Sequence, residues 1–254
     1  MIAEIAHKGR TFRVDLSKPL DLSMPLHAGP DQARAWWIDP VTMEPVRNGE
    51  TIYAVKEGSP VNFRTIRFNP HGHGTHTECV GHITPEVYPV GGLLKRYFFT
   101  AQVVSLLPET RRAPDGRTDQ VITLEQLRQV VNERPCEALV LRTLPYDPGR
   151  SSKDWSGSNP CYLQSSACAW LRSIGVKHLL LDLPSVDREE DGGVLAAHHA
   201  FWDHPATLDL ERTITELIQV PAEVRDGEFL LELQLPHFMN DAAPSRPVLY
   251  AFLP

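Results

Sequence analysis

The chain has 254 residues, in which 25 lysines and arginines face 32 aspartates and glutamates, for a formal charge of -7. That balance argues against nucleic acid as a partner, because phosphate-backbone binders carry a basic face, and no basic cluster here exceeds Arg111–Arg112. No apolar stretch approaches the roughly 20 residues a bilayer span needs, which argues against a membrane partner.

The N-terminal stretch lacks the apolar run of a signal peptide. Cys79, Cys136, Cys161 and Cys168 have no C-x-x-C spacing and read as free thiols, so a cytoplasmic location is expected. The 22 prolines favour turns and long ordered loops over a helical bundle.

In chain order, Thr11 to Leu16 alternates polar and apolar residues as a half-buried strand does, and after Lys18-Pro19 the pattern restarts from Leu20 to Leu26. Ala28 to Val46 is Pro-rich and aperiodic, a long loop carrying Trp36 and Trp37. Val61 to Phe68 alternates cleanly and predicts a strand that delivers the chain into a histidine-rich run. Phe98 to Leu107 predicts another strand. Thr123 and Gln126 form a capping box that opens a helix to about Glu133. A short buried strand is expected at Ala138 to Leu141, a helix from Tyr162 to Ile174 stopped by Gly175, and a strand from His178 to Leu183. A short helix follows near Leu195 to Trp202, then strands at Arg212 to Val220, Phe229 to Leu235 and Val248 to Phe252. The alternation of helix and strand between residues 123 and 183 implies a βαβ-type unit with parallel strands. There is no repeat or linker, and one α/β domain over residues 1–254 is expected.

The run PHGHGTHTECVGHI, residues 70–83, holds four histidines, a glutamate and a cysteine among glycines. Imidazole nitrogens and carboxylate oxygens are donors for zinc or manganese. His76 and Glu78 lie two apart, which puts both on one side of an extended chain. The alternative is that these histidines bond to one another and to loop carbonyls. Trp36, Trp37 and Phe63 are candidate substrate-binding residues, since broad apolar faces orient ligands in cavities; local packing is the plainer reading of the tryptophan pair. The acidic run Asp187, Glu189, Glu190 and Asp191 reads as a solvated loop. His27, His178, His204 and His237 read as surface or structural residues. Cys79 could serve as a nucleophile beside an imidazole base, but its neighbours His76 and Glu78 fit metal binding better.

Gly74-Thr75-His76-Thr77-Glu78, with His82 after it, resembles the H-x-G-T-H-x-D-x-P-x-H signature of the cyclase family, which includes bacterial kynurenine formamidase and isatin hydrolase, metal-dependent amide hydrolases. Asp15-Leu16-Ser17-x-Pro19-Leu20, or its near repeat Asp21-Leu22-Ser23-Met24-Pro25-Leu26, is similar to the family's N-terminal segment. Asp182 to Asp187 followed by His198, Ile214 to Leu217, and Asp241 to Val248 resemble later blocks in order, so the likeness extends over most of the chain. It implies a swivelling β/β/α-type fold with a mixed, partly barrel-like sheet. Carried onto matching positions, it implies His76, Glu78, His198 and Glu216 as ligands of one or two divalent ions, and His82 as the proton-transfer residue. Glu216 joins His82 as a catalytic candidate. Gly72 stands where the first histidine of the signature belongs, leaving His71 or His73 to supply the ligand. Glu78 replaces an aspartate and Val80 a proline.

The activity implied is arylformamidase-like hydrolysis of a C–N amide bond in a small molecule such as a formamide, a lactam or a related cyclic amide. A cyclase or lyase, a lactone hydrolase, and a non-catalytic metal- or ligand-binding homologue are the alternatives. The family's habit implies a homodimer or homotetramer.

Overall fold

The structure is a computed structural model that describes residues 1–113, 115–132 and 136–254. Its centre is a nine-stranded mixed sheet that curls into a half-barrel. In chain order the strands are β1 (Leu20–Asp21), β2 (His76–Cys79), β3 (Phe98–Leu106), β4 (Ala138–Thr143), β5 (His178–Leu181), β6 (Thr213–Glu216), β7 (Gly227–Glu232), β8 (Ala242–Pro244) and β9 (Val248–Ala251). Across the sheet they run β8-β2-β6-β5-β4-β3-β7-β9-β1. The four central strands β6, β5, β4 and β3 are parallel, and every other pairing is antiparallel.

Parallel strands need cover on both faces. On one face Val104, Leu139, Leu141, Leu179, Leu181 and Ile214 pack under helices α1 (Leu124–Val130), α2 (Ser165–Ser173) and α3 (Ala196–Trp202). On the other, Val103, Val140, Leu180, Leu231 and Leu249 form one buried group. These side chains come from β3, β4, β5, β7 and β9, so the curl of the sheet closes on its own apolar lining. No helix among the described residues is long and apolar enough to cross a membrane.

The parallel βαβ pattern is present. The capping box at Thr123 and Gln126 forms with both reciprocal bonds, and α1 ends at Val130; Glu133, where the helix was expected to end, lies outside the described residues. Gly175 takes the left-handed conformation (φ +95°) just past α2, as its place after a helix requires. Several expectations fail: the strand from Leu20 to Leu26 is limited to Leu20–Asp21, and the long loop from Ala28 to Val46 carries a strand at Thr42–Pro45. Tyr162–Leu163 is a short strand beside Val121–Ile122, and the helix starts only at Ser165. The strand expected at Val61 to Phe68 is confined to Arg64–Arg67, all four residues of which are exposed. It pairs with Thr42–Pro45 alone, so no second layer buries its alternating face.

Candidate metal and catalytic centre

Three strands at one side of the sheet assemble the site. In the antiparallel pair β2–β6, His76 stands opposite Glu216 and Glu78 opposite Ile214, so the His76, Glu78 and Glu216 side chains leave the same face. The other face of the same strands carries a hydroxyl ladder: Thr77 bonds Thr215 at 2.8 Å and Ser245 at 2.9 Å. On the outer side of β2, β8 places Ala242 opposite Glu78, and the Cys79 N–H donates to the carbonyl of Asp241. Asp241 therefore sits at the mouth of the cluster. Helix α3 brings His198 in from the opposite direction.

Glu78, 1% exposed, is the hub. The His198 Nε2–H donates to its Oε1 at 3.0 Å, the His71 Nδ1–H donates to its Oε2 at 3.1 Å, and His82 Nε2 lies 3.8 Å from that oxygen. Burial alone would raise the Glu78 pKa, but the charge of His82 and the bonds from His198 and His71 hold it well below the carboxylate range. His71 bridges onward, its Nε2–H donating to Asp241 Oδ2 at 2.7 Å, and its ring stacks on His82 with centroids 4.2 Å apart. Burial opposes a charge on His71, yet its bonds to Asp241 and Glu78 outweigh that and raise its pKa to about 10. His198 behaves alike: burial is overcome by the bonds to Asp187 (2.6 Å from Nδ1) and Glu78, and its pKa also rises to about 10. Glu216 Oε1 is fixed by the Val186 N–H at 2.9 Å.

His76 shows that these residues fit a metal. Its Nδ1–H donates to the Gly74 carbonyl at 3.1 Å, so Nε2 is the ring nitrogen available to a metal. That nitrogen is buried, has no hydrogen-bond partner, and faces Glu216 Oε2 at 3.4 Å. An unsatisfied buried nitrogen costs about 1–3 kcal/mol. A cation between this nitrogen and the Glu216 carboxylate removes that penalty. Among the described residues, three donor groups lie close enough to hold an ion: His71, His76 and Glu78; His71, His82 and Asp241; and Glu78, His82 and His198. All are imidazole or carboxylate, with no thiolate among them.

The structure thus brings His71, His76, Glu78, His82, His198 and Glu216 together. It does not bring in His73. The Asn69 N–H donates to His73 Nδ1 at 2.8 Å, and its Nε2–H donates to the Asp39 carbonyl at 2.9 Å, so both ring nitrogens are spent on the loop. Burial lowers its pKa, which keeps the ring neutral. His71 therefore takes the place beside Glu78. Gly72 itself is crowded: a Cβ there would lie 2.2 Å from Ile38 Cδ1, so Ile38 must move before any side chain fits.

The three aromatic candidates separate too. Trp37, 65% exposed, lines a cavity of about 960 Å³ with Val41, Met43, Phe68, Asn69 and His73. Trp36 packs instead against the group formed by Met24, Ala33, Ala35, Trp155 and Leu217. Phe63 is exposed, stands edge-on to Tyr53 and does not line that cavity. Among the secondary candidates, Cys79 is buried, its Sγ–H donates to the Tyr88 carbonyl, and burial pushes the thiol up to about 12, which disables it as a nucleophile. His178 is a buried structural residue bonded to Thr213 Oγ1 at 2.9 Å.

Two acids of the site escape a reading of the chain. Asp187 belongs to the run read as a solvated loop, yet it is 5% exposed and accepts from the N–H groups of Ala197 and His198 as well as from the His198 ring. Asp241 sits 170 residues from His71, a contact only the β2–β8 pairing reveals. The order of Asp182 to Asp187 before His198 was the one signal for the first.

With this geometry in view, the comparisons are informative. The family model of the cyclase family ("Putative cyclase") matches residues 14–188, more than half of the chain. The chain belongs to the cyclase family. Solved structures with the same fold include one described as a predicted metal-dependent hydrolase from Bacillus stearothermophilus, 16% identical, covering 92% of this chain and 98% of that one with a TM-score of 0.61. An isatin hydrolase bound to the product analogue thioisatinate is 12% identical, with 93% of each chain covered and a TM-score of 0.60. Isatin hydrolase A from Labrenzia aggregata, bound to benzyl benzoate, is also 12% identical, with 93% and 94% covered and a TM-score of 0.62. At such identities the likeness establishes the fold alone.

Proposed function

We propose that this cyclase-family chain is a metal-dependent hydrolase that cleaves a C–N amide bond of a small molecule, a formamide, lactam or related cyclic amide. The observation that carries this reading is the bare, buried Nε2 of His76 facing the Glu216 carboxylate. His76, Glu78, His198 and Glu216, with His71 in place of the missing first histidine, would hold one or two divalent ions. Nitrogen and oxygen donors suit zinc or manganese. The chemistry such an ion supplies is polarisation of a carbonyl and acidification of water.

The chain's own residues do the rest. Asp187 orients the His198 ring through Nδ1, as carboxylates behind metal-binding imidazoles do. Glu216 is held by the Val186 N–H. His82, 31% exposed, stands at the mouth between Glu78 and Asp241, where it can pass a proton to a leaving nitrogen and exchange it with solvent. Asn69 links the centre to the cavity that Trp37 lines, since its Oδ1 accepts from the His71 N–H. The apolar body of a substrate would rest against Trp37 and Phe68. A homodimer or homotetramer accompanies this reading and is measurable by light scattering.

The test is elemental analysis of the as-isolated protein, then turnover of formamides, lactams and lactones in ¹⁸O-labelled water with and without chelator. Label in the new acid together with chelator-sensitive turnover is expected. Absence of stoichiometric metal, with turnover unchanged by chelation, overturns it; product without label points to a cyclase or lyase.

A further inference from the structure

A second cavity, of about 340 Å³, opens where the parallel strands β4 and β5 end. Its lining includes Thr143, which closes β4, Leu183 just past β5, and the loop carrying Arg150, Lys153 and Trp155. It shares no residue with the histidine–carboxylate centre or with the cavity lined by Trp37. The carboxyl ends of parallel strands are where open α/β sheets take up ligands, and the volume suits a small molecule.

Its charges are unequally satisfied. Two cations share one indole: Lys153 Nζ lies 4.1 Å from the centre of the Trp155 ring, and the Arg150 guanidinium 5.6 Å from it. Arg150 is answered by the protein, donating to the Asp182 carbonyl at 2.9 Å and to Thr143 Oγ1 at 2.6 Å, with its Nε 3.7 Å from the Asp182 carboxylate. Lys153 Nζ makes no hydrogen bond or ion pair among the described residues. The one acid in the lining, Asp147, already accepts from the Gly149 N–H at 2.8 Å. Partial burial and the charge of Arg150 both press the Lys153 pKa downward, with Asp147 only partly offsetting them. The Trp155 Nε1–H adds a second unmet demand. Trp155 is 4% exposed, and that donor has no partner. A buried donor left unpaired is costly.

We propose that this cavity binds a small oxyanion, a carboxylate or a phosphate group, held by Lys153 beside the Trp155 indole. Arg150 and Lys153 face a single acid in the lining, Asp147, and the unanswered Lys153 ammonium matches a single anionic group. Leu107, Pro108, Leu144 and Pro145 offer an apolar wall for whatever carries it. The proposal does not depend on the metal centre being a hydrolase.

The experiment titrates the whole protein with inorganic phosphate and, separately, with benzoate at fixed ionic strength. It follows the Trp155 indole N–H resonance, assigned with Trp155→Phe, and heat by calorimetry. The expected result is a saturable shift of that resonance with at least one of the anions, weakened about tenfold or more in Lys153→Gln. A response to phosphate alone or to benzoate alone supports the site and assigns its chemistry. No shift with either anion at millimolar concentrations, or equal affinity in Lys153→Gln, overturns the proposal. Calorimetry on Lys153→Gln, a half-buried surface side chain, keeps the test decisive if Trp155→Phe does not fold.

Discussion

His178 and His198 are both almost wholly buried, and they are opposites. His178 lies in β5, bonds the Thr213 hydroxyl, packs on the Phe99 ring, and is driven by burial to a pKa of about 3. His198 suffers the same burial, yet Asp187 and Glu78 grip both of its nitrogens and lift it to about 10. The residue type is identical, so the difference belongs entirely to the neighbours. A buried imidazole facing a hydroxyl is part of the packing. One facing two carboxylates is part of a charged centre that can trade its proton for a cation.

The strongest way to break this contrast is to remove the hub. Glu78→Ala should abolish both metal binding and turnover while the chain stays folded, as read by metal analysis, activity and circular dichroism together; retained stoichiometric metal would detach Glu78 from the site. A smaller change leaves the ligand and alters its support. Asp187→Asn keeps the shape but takes the charge from behind His198, and should weaken metal affinity by about 10–100-fold, the usual effect of losing such a partner. Competition with a fluorescent chelator measures it.

The paired histidines of the glycine loop sharpen the comparison further. His71→Gln should lower metal affinity, because the ring joins Glu78 to Asp241, whereas His73→Gln should leave metal content unchanged and cost about 1 kcal/mol of stability from altered loop hydrogen bonds. Equal loss of metal in the two variants would contradict the assignment.

The mildest effect concerns His178. A histidine in the unfolded chain takes up a proton below about pH 6.5, while folded His178 resists protonation until about 3. Between those values the unfolded state holds more protons, so this residue's contribution to stability is full above the upper value and is lost as pH falls through the window. His178→Gln lacks that dependence. The stability gap between wild type and variant, taken from urea unfolding, should be widest near neutral pH and narrow on acidification. A gap constant with pH would mean that His178 is not held neutral.

Legibility along the chain tracked the range of the interaction. The capping box at Thr123, the left-handed Gly175 and the apolar runs of β4 and β5 are set by residues within a few positions, and each formed where its pattern placed it. The Val61 to Phe68 alternation misled because a period of two specifies a strand but not a layer to bury its face. His71 and His73 were indistinguishable in sequence, each one residue from Gly72. The direction of each ring is decided by the loop that receives it, Asp39 for one and Asp241 for the other. Asp187 read as solvated because acidic runs usually are, and only the folding of α3 onto it made it a buried acceptor.

By itself the sequence determined the donor chemistry, the central parallel strands and the family, since these reside in residue types and spacings. The tertiary structure alone decided which donors meet. Glu78, Glu216, His198 and Asp241 lie 18 to 163 residues apart along the chain, and cross-strand register is fixed by packing over the whole sheet. A shift of one residue in the β2–β6 pairing would turn Glu216 to the hydroxyl face and leave His76 without its opposing carboxylate.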